Sequence, residues 1–223
     1  MTYKKHIVIF FSCISIIING SCFWKETHPK VIMLHPAGDA VSTGRKLSHG
    51  YERATTYKLA DNISSLLQNQ YSIKTLLTRD PGERLSAQNT LEFANRTNPD
   101  IFVALYIYKE KDDKPHVTIY HHLQDPFIDR CDYLTKPYDF IPRNHAHRIN
   151  MHQAQKYGAA IKTALSQPSY TALFETHGCY GIPLKPLVGL IPPALLIEIG
   201  LHKEDTWKLL AQPLAEALAH LSL

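Results

Sequence analysis

The sequence predicts a single α/β domain, a mixed twisted sheet with helices on both faces. Three observations carry that reading. Short apolar, β-rich runs alternate with amphipathic stretches of helical period along most of the chain. The run from Asp100 to Tyr108 (DIFVALYIY) is nearly all apolar, as a central strand covered on both faces must be. A length of 223 residues suits one such domain and is short for two.

Residues 30–34 form a first short strand, closed by Pro36 and Gly38. Glu52 to Gln68 reads as a helix, with Leu59, Ala60, Ile63, Leu66 and Leu67 on one face. Ser72 to Thr78 is a strand ended by the turn Asp80-Pro81-Gly82. Leu85 to Asn95 is a second helix, turning Ala87, Leu91 and Ala94 inward. After the central strand, His116 to His122 (HVTIYHH) is another. Residues 123–144 hold Pro126, Pro137 and Pro142 among aromatics and mixed charge, and read as an irregular insertion. Helical period resumes from about Ala146 to Leu165. Residues 166–190 read as loop with at most one short strand, Ala194 to Ile199 (ALLIEI) as a buried strand, and Asp205 to Leu221 as the last helix.

The first residues are of another kind. Lys4 and Lys5 precede an apolar stretch, Ile7 to Ile18, and then Asn19-Gly20-Ser21-Cys22. This is the plan of a secretory signal over residues 1–22, too short for a stable membrane span, followed by a linker over 23–29 and the domain over 30–223. An uncleaved anchor helix is the alternative. The expected location is the periplasm or cell envelope. A small pair before Cys22 resembles a bacterial lipoprotein cleavage site and implies lipidation of Cys22, although Asn19 stands where Leu is usual. In an exported chain Cys131 and Cys179 form a disulfide or stay as two thiols; their spacing does not decide between these. The formal charge of +4, with no Lys/Arg stripe, argues against a nucleic-acid partner.

One residue breaks the apolar pattern. Glu198 stands inside ALLIEIG, sharing a face with Leu196 and Gly200 while Ile197 and Ile199 point the other way. A carboxylate in a buried strand must be paired or lose its charge. It marks either a functional site or a structural ion pair.

These residues stand in a familiar order: VIMLHPAG at the first strand, Glu52 opening the next helix, LLTRD, FANRTNPDIFVALYIY, and PPALLIEIG before an amphipathic C-terminal helix. In this order and spacing the chain resembles the zinc-dependent N-acetylmuramoyl-L-alanine amidases of bacterial cell-wall turnover, over nearly all of residues 30–223. The resemblance implies an amidase-like fold, peptidoglycan or its stem peptide as partner, and a zinc ion held by His, Glu and His, with a late Glu as general base. A three-ligand zinc makes hydroxide near neutral pH, and a neighbouring carboxylate can carry the proton to the leaving amine. Carried over by position, Glu198 is the catalytic Glu and Glu52 the Glu ligand. The two His positions fall on Gly38 and Tyr106, so two of three ligands are lost, and Thr90 stands where an Arg is usual. Glu52 alone will not hold zinc. His35, three residues before Gly38, is the candidate substitute, among 13 histidines in the chain.

Three functions stay open at this point. One is a degenerate amidase that binds peptidoglycan without cutting it. The second is an active amidase with a rearranged zinc site built on His35 and Glu52. The third is an envelope protein that docks another protein through the 123–144 loop.

Overall fold

The computed structural model describes residues 30–123 and 143–221. The expected signal, linker and Cys22, most of the 123–144 insertion, and Cys131 with its pairing lie outside these residues. Among the described residues no helix is long and apolar enough to cross a membrane.

The elements run β1 (Val31–Pro36), α1 (Glu52–Tyr71), β2 (Lys74–Leu77), α2 (Ala87–Thr97), β3 (Ile101–Lys109), β4 (His116–His122), α3 (Met151–Leu165), β5 (Glu175–Ile182), β6 (Ala194–Leu201) and α4 (Lys208–Ala219), with short helical turns between some of them. The described strands form one sheet in the order β2-β1-β3-β6-β4-β5. β2, β1, β3 and β6 are mutually parallel; β4 runs against β6, and β5 runs parallel to β4. The expected mixed sheet is present.

The two faces are covered differently. On one, Ile32, Leu34, Val103, Leu105, Ile197 and Ile119 pack into the main core beneath α1, α3 and α4. On the other, Met33, Phe102, Ala104 and Leu196 form a smaller core with Ala94 of α2 and with Leu187 and Leu190. Burying one Leu or Ile side chain contributes roughly 1.5–3 kcal/mol, so the first face supplies most of the cohesion. Helix ends follow local chemistry. The Ser86 hydroxyl accepts from the Asn89 N–H at 3.0 Å to cap α2, and Ser72 and Asn98 take the left-handed conformation that ends α1 and α2.

Three expectations are corrected. Within the stretch read as loop with one short strand, Glu175–Ile182 form a full edge strand of 8 residues, with alternating exposure that its two glycines obscure in the sequence. Ala87 is exposed, because α2 turns its first turn toward an open cleft and not into the core. The last helix begins at Lys208, after a 3-10 turn over Glu204–Trp207.

Strand order places the ligand crevice. β1 pairs with β2 on one side and β3 on the other, so α1 and α2 leave β1 and β2 toward opposite faces. A crevice opens at the carboxyl ends of β1 and β3, the usual ligand position in open α/β sheets.

Candidate functional site

The loop from Ala37 to Tyr51 covers this crevice, and its shape is set by charge. Gly38 has φ +77°, and a Cβ there would come within 2.7 Å of Arg53 Cβ, so the backbone accepts glycine and resists a side chain. Asp39 is next. Its carboxylate accepts from the N–H groups of Val41, Ser42 and Leu85, tying the loop to the approach to α2. Those backbone bonds hold its carboxyl below the usual carboxylate range. Beneath the loop the buried Arg79 donates to the carbonyls of Pro36, Ala37 and Arg53 at 3.2, 3.3 and 2.8 Å. The Gly38-Asp39 pair is thus an architectural corner.

Glu52 opens α1 and is 3% exposed. One carboxylate oxygen accepts from the Ile107 N–H at 2.9 Å, where β3 has run past the end of β1. The other accepts from the Arg45 N–H at 2.9 Å, while the Glu52 N–H donates back to the Arg45 carbonyl at 2.8 Å. Gly44 leaves room for this carboxylate, since a Cβ there would lie 2.7 Å from its oxygen.

The Arg45 side chain then crosses to β6. Its guanidinium donates to a Glu198 oxygen at 2.7 Å and lies 5.7 Å from the centroid of the Tyr108 ring. The other Glu198 oxygen accepts from the Tyr120 hydroxyl at 3.4 Å. In register, Glu198 is flanked by Tyr106 on β3 and Thr118 on β4. The buried-strand carboxylate singled out from sequence is therefore ion-paired, by an arginine that sequence reasoning missed. Only the loop fold brings Arg45 there; nothing in TGRKLS marks it.

Tyrosines crowd this end of the sheet. Burial, then the Glu52 charge, pushes the Tyr106 phenol up. Burial and a hydrogen bond to Glu110 push Tyr108 up to about 12. Burial, then Glu198, raises Tyr120 as well. All three stay protonated at neutral pH; Tyr120 donates to Glu198 and Tyr108 to Glu110. Tyr180 on the edge strand is 49% exposed, its ring centroid 6.2 Å from that of Tyr120.

His35 sits apart from Glu198. Its Nδ1 bonds the Thr78 hydroxyl at 2.8 Å, and its ring stacks on Phe102 with centroids 5.7 Å apart. Burial, with the Arg79 charge, lowers its pKa to about 4, so the ring is neutral. Among the described residues, no group of three potential metal ligands contains both His35 and Glu52. Beside His35 a cleft of about 500 Å³ opens, lined also by Tyr106, Gln88, Thr90, Lys185 and Leu190. Asn95 shapes its far wall: its side chain donates to the Gly189 carbonyl at 2.9 Å and accepts from the Ile191 N–H at 2.8 Å.

An open cleft at the carboxyl ends of parallel strands, lined by His35, Asp39, Gln88, Thr90, Tyr106 and Lys185, defines an α/β protein with a polar cleft at the sheet's switch point. The N-acetylmuramoyl-L-alanine amidase family model matches residues 32–219, and the chain belongs to that family. Solved structures agree on the fold. The N-acetylmuramoyl-L-alanine amidase of Clostridium difficile 630 superposes with a TM-score of 0.60 at 13% identity, over 85% of this chain and 95% of that one. The Mycobacterium smegmatis N-acetylmuramyl-L-alanine amidase gives 0.61 at 11% identity, over 85% and 95%. The CwlD amidase of Clostridioides difficile, solved in complex with the GerS lipoprotein, gives 0.59 at 14% identity, over 85% and 96%. Among curated proteins there is no match.

Proposed function

We propose that this chain is an exported, peptidoglycan-directed member of the amidase family that binds the muramoyl-peptide without hydrolysing it through the family's zinc position. Zinc at that position would need side chains from Gly38, Glu52 and Tyr106, and these do not fit it. Gly38 has no donor, and its φ of +77° with Arg53 close by resists one. The Tyr106 phenol is held protonated. Both Glu52 oxygens already accept backbone N–H groups. The observation that carries the reading is the Arg45–Glu198 pair at 2.7 Å: an internal cation stands against the carboxylate that would serve as base.

Binding is supported by what remains open. Half-buried tyrosine rings offer flat apolar faces and hydroxyl donors, which suit sugar rings and amides. The cleft beside His35 adds Gln88 and Lys185, groups that can hydrogen-bond peptide carbonyls or a stem-peptide carboxylate. The family description supplies the ligand class.

The test is cosedimentation with purified, insoluble peptidoglycan, with release of stem peptide measured in the same tube. Binding without release is expected, weakened by Tyr120→Ala. Release that Glu198→Gln abolishes would overturn the reading and restore a working amidase.

A further inference from the structure

On the far side of Glu198 the sheet brings together a different set of groups. β4 begins at His116, which pairs in register with Gly200 of β6 and with Glu175 at the start of β5. The pairing stays regular to Val117 and Thr176; then the register slips, and Thr118 lies opposite Gly178. His177 is the extra residue of this bulge. Bulges re-aim a side chain that a regular ladder would fix elsewhere. This one is built to last: Gly178 has φ +147°, a Cβ there would meet the Tyr180 ring at 2.9 Å, and the Tyr180 hydroxyl donates to the His177 carbonyl at 2.8 Å.

The result is a His-Glu-His cluster. One potential ligand atom from each of His116, Glu175 and His177 lies within 4.8 Å of the others. The two imidazole rings are 4.3 Å apart, centroid to centroid. His116 is buried, while Glu175 and His177 are exposed. More carboxylates surround them. Glu110 lies 4.0 Å from His116 Nδ1 and Asp112 4.0 Å from its Nε2. A cation, Lys114, stands 3.5 Å from Glu175; the pair is exposed on both sides and worth little in water.

We infer that His116, Glu175 and His177 form a binding site for a divalent transition metal of the zinc class, with its open position toward solvent on the Glu198 face of the sheet. Two imidazoles and one carboxylate are a donor set that zinc takes with one position left free. Ligand atoms around a tetrahedral ion with bonds of about 2.0–2.2 Å stand roughly 3.3–3.6 Å apart. The cluster must therefore close by about 1 Å. Its two exposed side chains can rotate to do this while buried His116 stays fixed. Whichever His116 nitrogen binds the ion, the other faces Glu110 or Asp112, the carboxylate partner that orients a ligating imidazole. The site lies two residues along the strands from Glu198, about 7 Å. Tyr108 stands between, packed over Gly200 so closely that a Cβ there would fall 2.8 Å from its ring. None of the three ligands occupies a position that the family resemblance assigns to zinc, so the inference is independent of the peptidoglycan reading.

Equilibrium dialysis of the untagged, intact chain against zinc at micromolar concentration tests it. One zinc per chain is expected. His177→Ala and Glu175→Gln, both at exposed positions, should weaken binding at least tenfold with an unchanged thermal midpoint of the apo chain. His116→Ala should abolish it. His35→Ala should keep full binding, and so should His147→Ala, whose ring is 4.2 Å from that of His122 in another close histidine pair. No zinc at this concentration, or binding that survives His177→Ala and Glu175→Gln, would overturn the inference. So would loss of binding on His35→Ala or His147→Ala.

Discussion

Glu198 divides the carboxyl edge of this sheet into two unlike halves. On the β1–β3 side the carboxylates at the crevice are spent on the protein itself. Glu52 satisfies two backbone N–H groups, Asp39 holds three, and Arg45 closes on Glu198. On the β4–β5 side, His116 and His177 are held close while Glu175 faces a screened lysine. The lesson concerns reuse. A buried carboxylate can serve a structural task without a metal, and Glu52 does so by capping the strand that outruns its neighbour. A ligand set is free for a cation only where its donors are not already accepting from the backbone.

The largest effect should come from breaking the first half. Glu52→Ala leaves the Ile107 and Arg45 N–H groups without their acceptor, and each unsatisfied buried group costs about 1–3 kcal/mol. Denaturant unfolding should show a loss of about 2–5 kcal/mol. A loss below about 0.5 kcal/mol would mean that Glu52 is not a structural cap.

Acid should act next. The folded chain keeps His35 and His147 neutral down to about pH 4, each mainly through burial, whereas the unfolded chain takes up those protons near 6.5. Between these values the unfolded state binds more protons, so stability falls as pH drops through the window and is level above it. For His35 alone the loss is on the order of 3 kcal/mol. His35→Gln should flatten that part of the profile and leave the His147 part. An unchanged slope would show that the His35 ring is wet or charged in the fold.

Arg45→Ala should do the least to stability, less than about 1 kcal/mol, because the pair is partly exposed and screened. It sharpens the comparison through binding instead. With the internal cation gone, zinc uptake by the chain should still require His177 and stoichiometry should not rise, since Gly38 and Tyr106 still offer no ligands. A second zinc per chain would show that Arg45 alone had kept the family position closed.

Much of this is legible in the sequence, and the reasons are local. β4 can be read to both of its ends, because HVTIYHH alternates cleanly beside a turn. Glu198 stands out because a charge inside ALLIEIG breaks an apolar run, and Glu52 because it opens a helix. Arg45 is invisible: a loop arginine acquires meaning only when Asp39 and Arg79 fold the loop over the crevice. The His116–Glu175–His177 cluster is hidden for a different reason. His116 lies 59 and 61 positions before its two partners, and a one-residue bulge in a strand interrupted by Gly178 and Gly181 aligns them. Periodicity cannot see a slip in register.

The most direct test of the contrast is a crystal structure of the chain grown with zinc, with the metal located by its anomalous scattering. One peak is expected, between His116, Glu175 and His177, beside an intact Arg45–Glu198 pair. A peak between Glu52 and Glu198, with Arg45 displaced, would contradict the division of the sheet edge into a spent half and a free one.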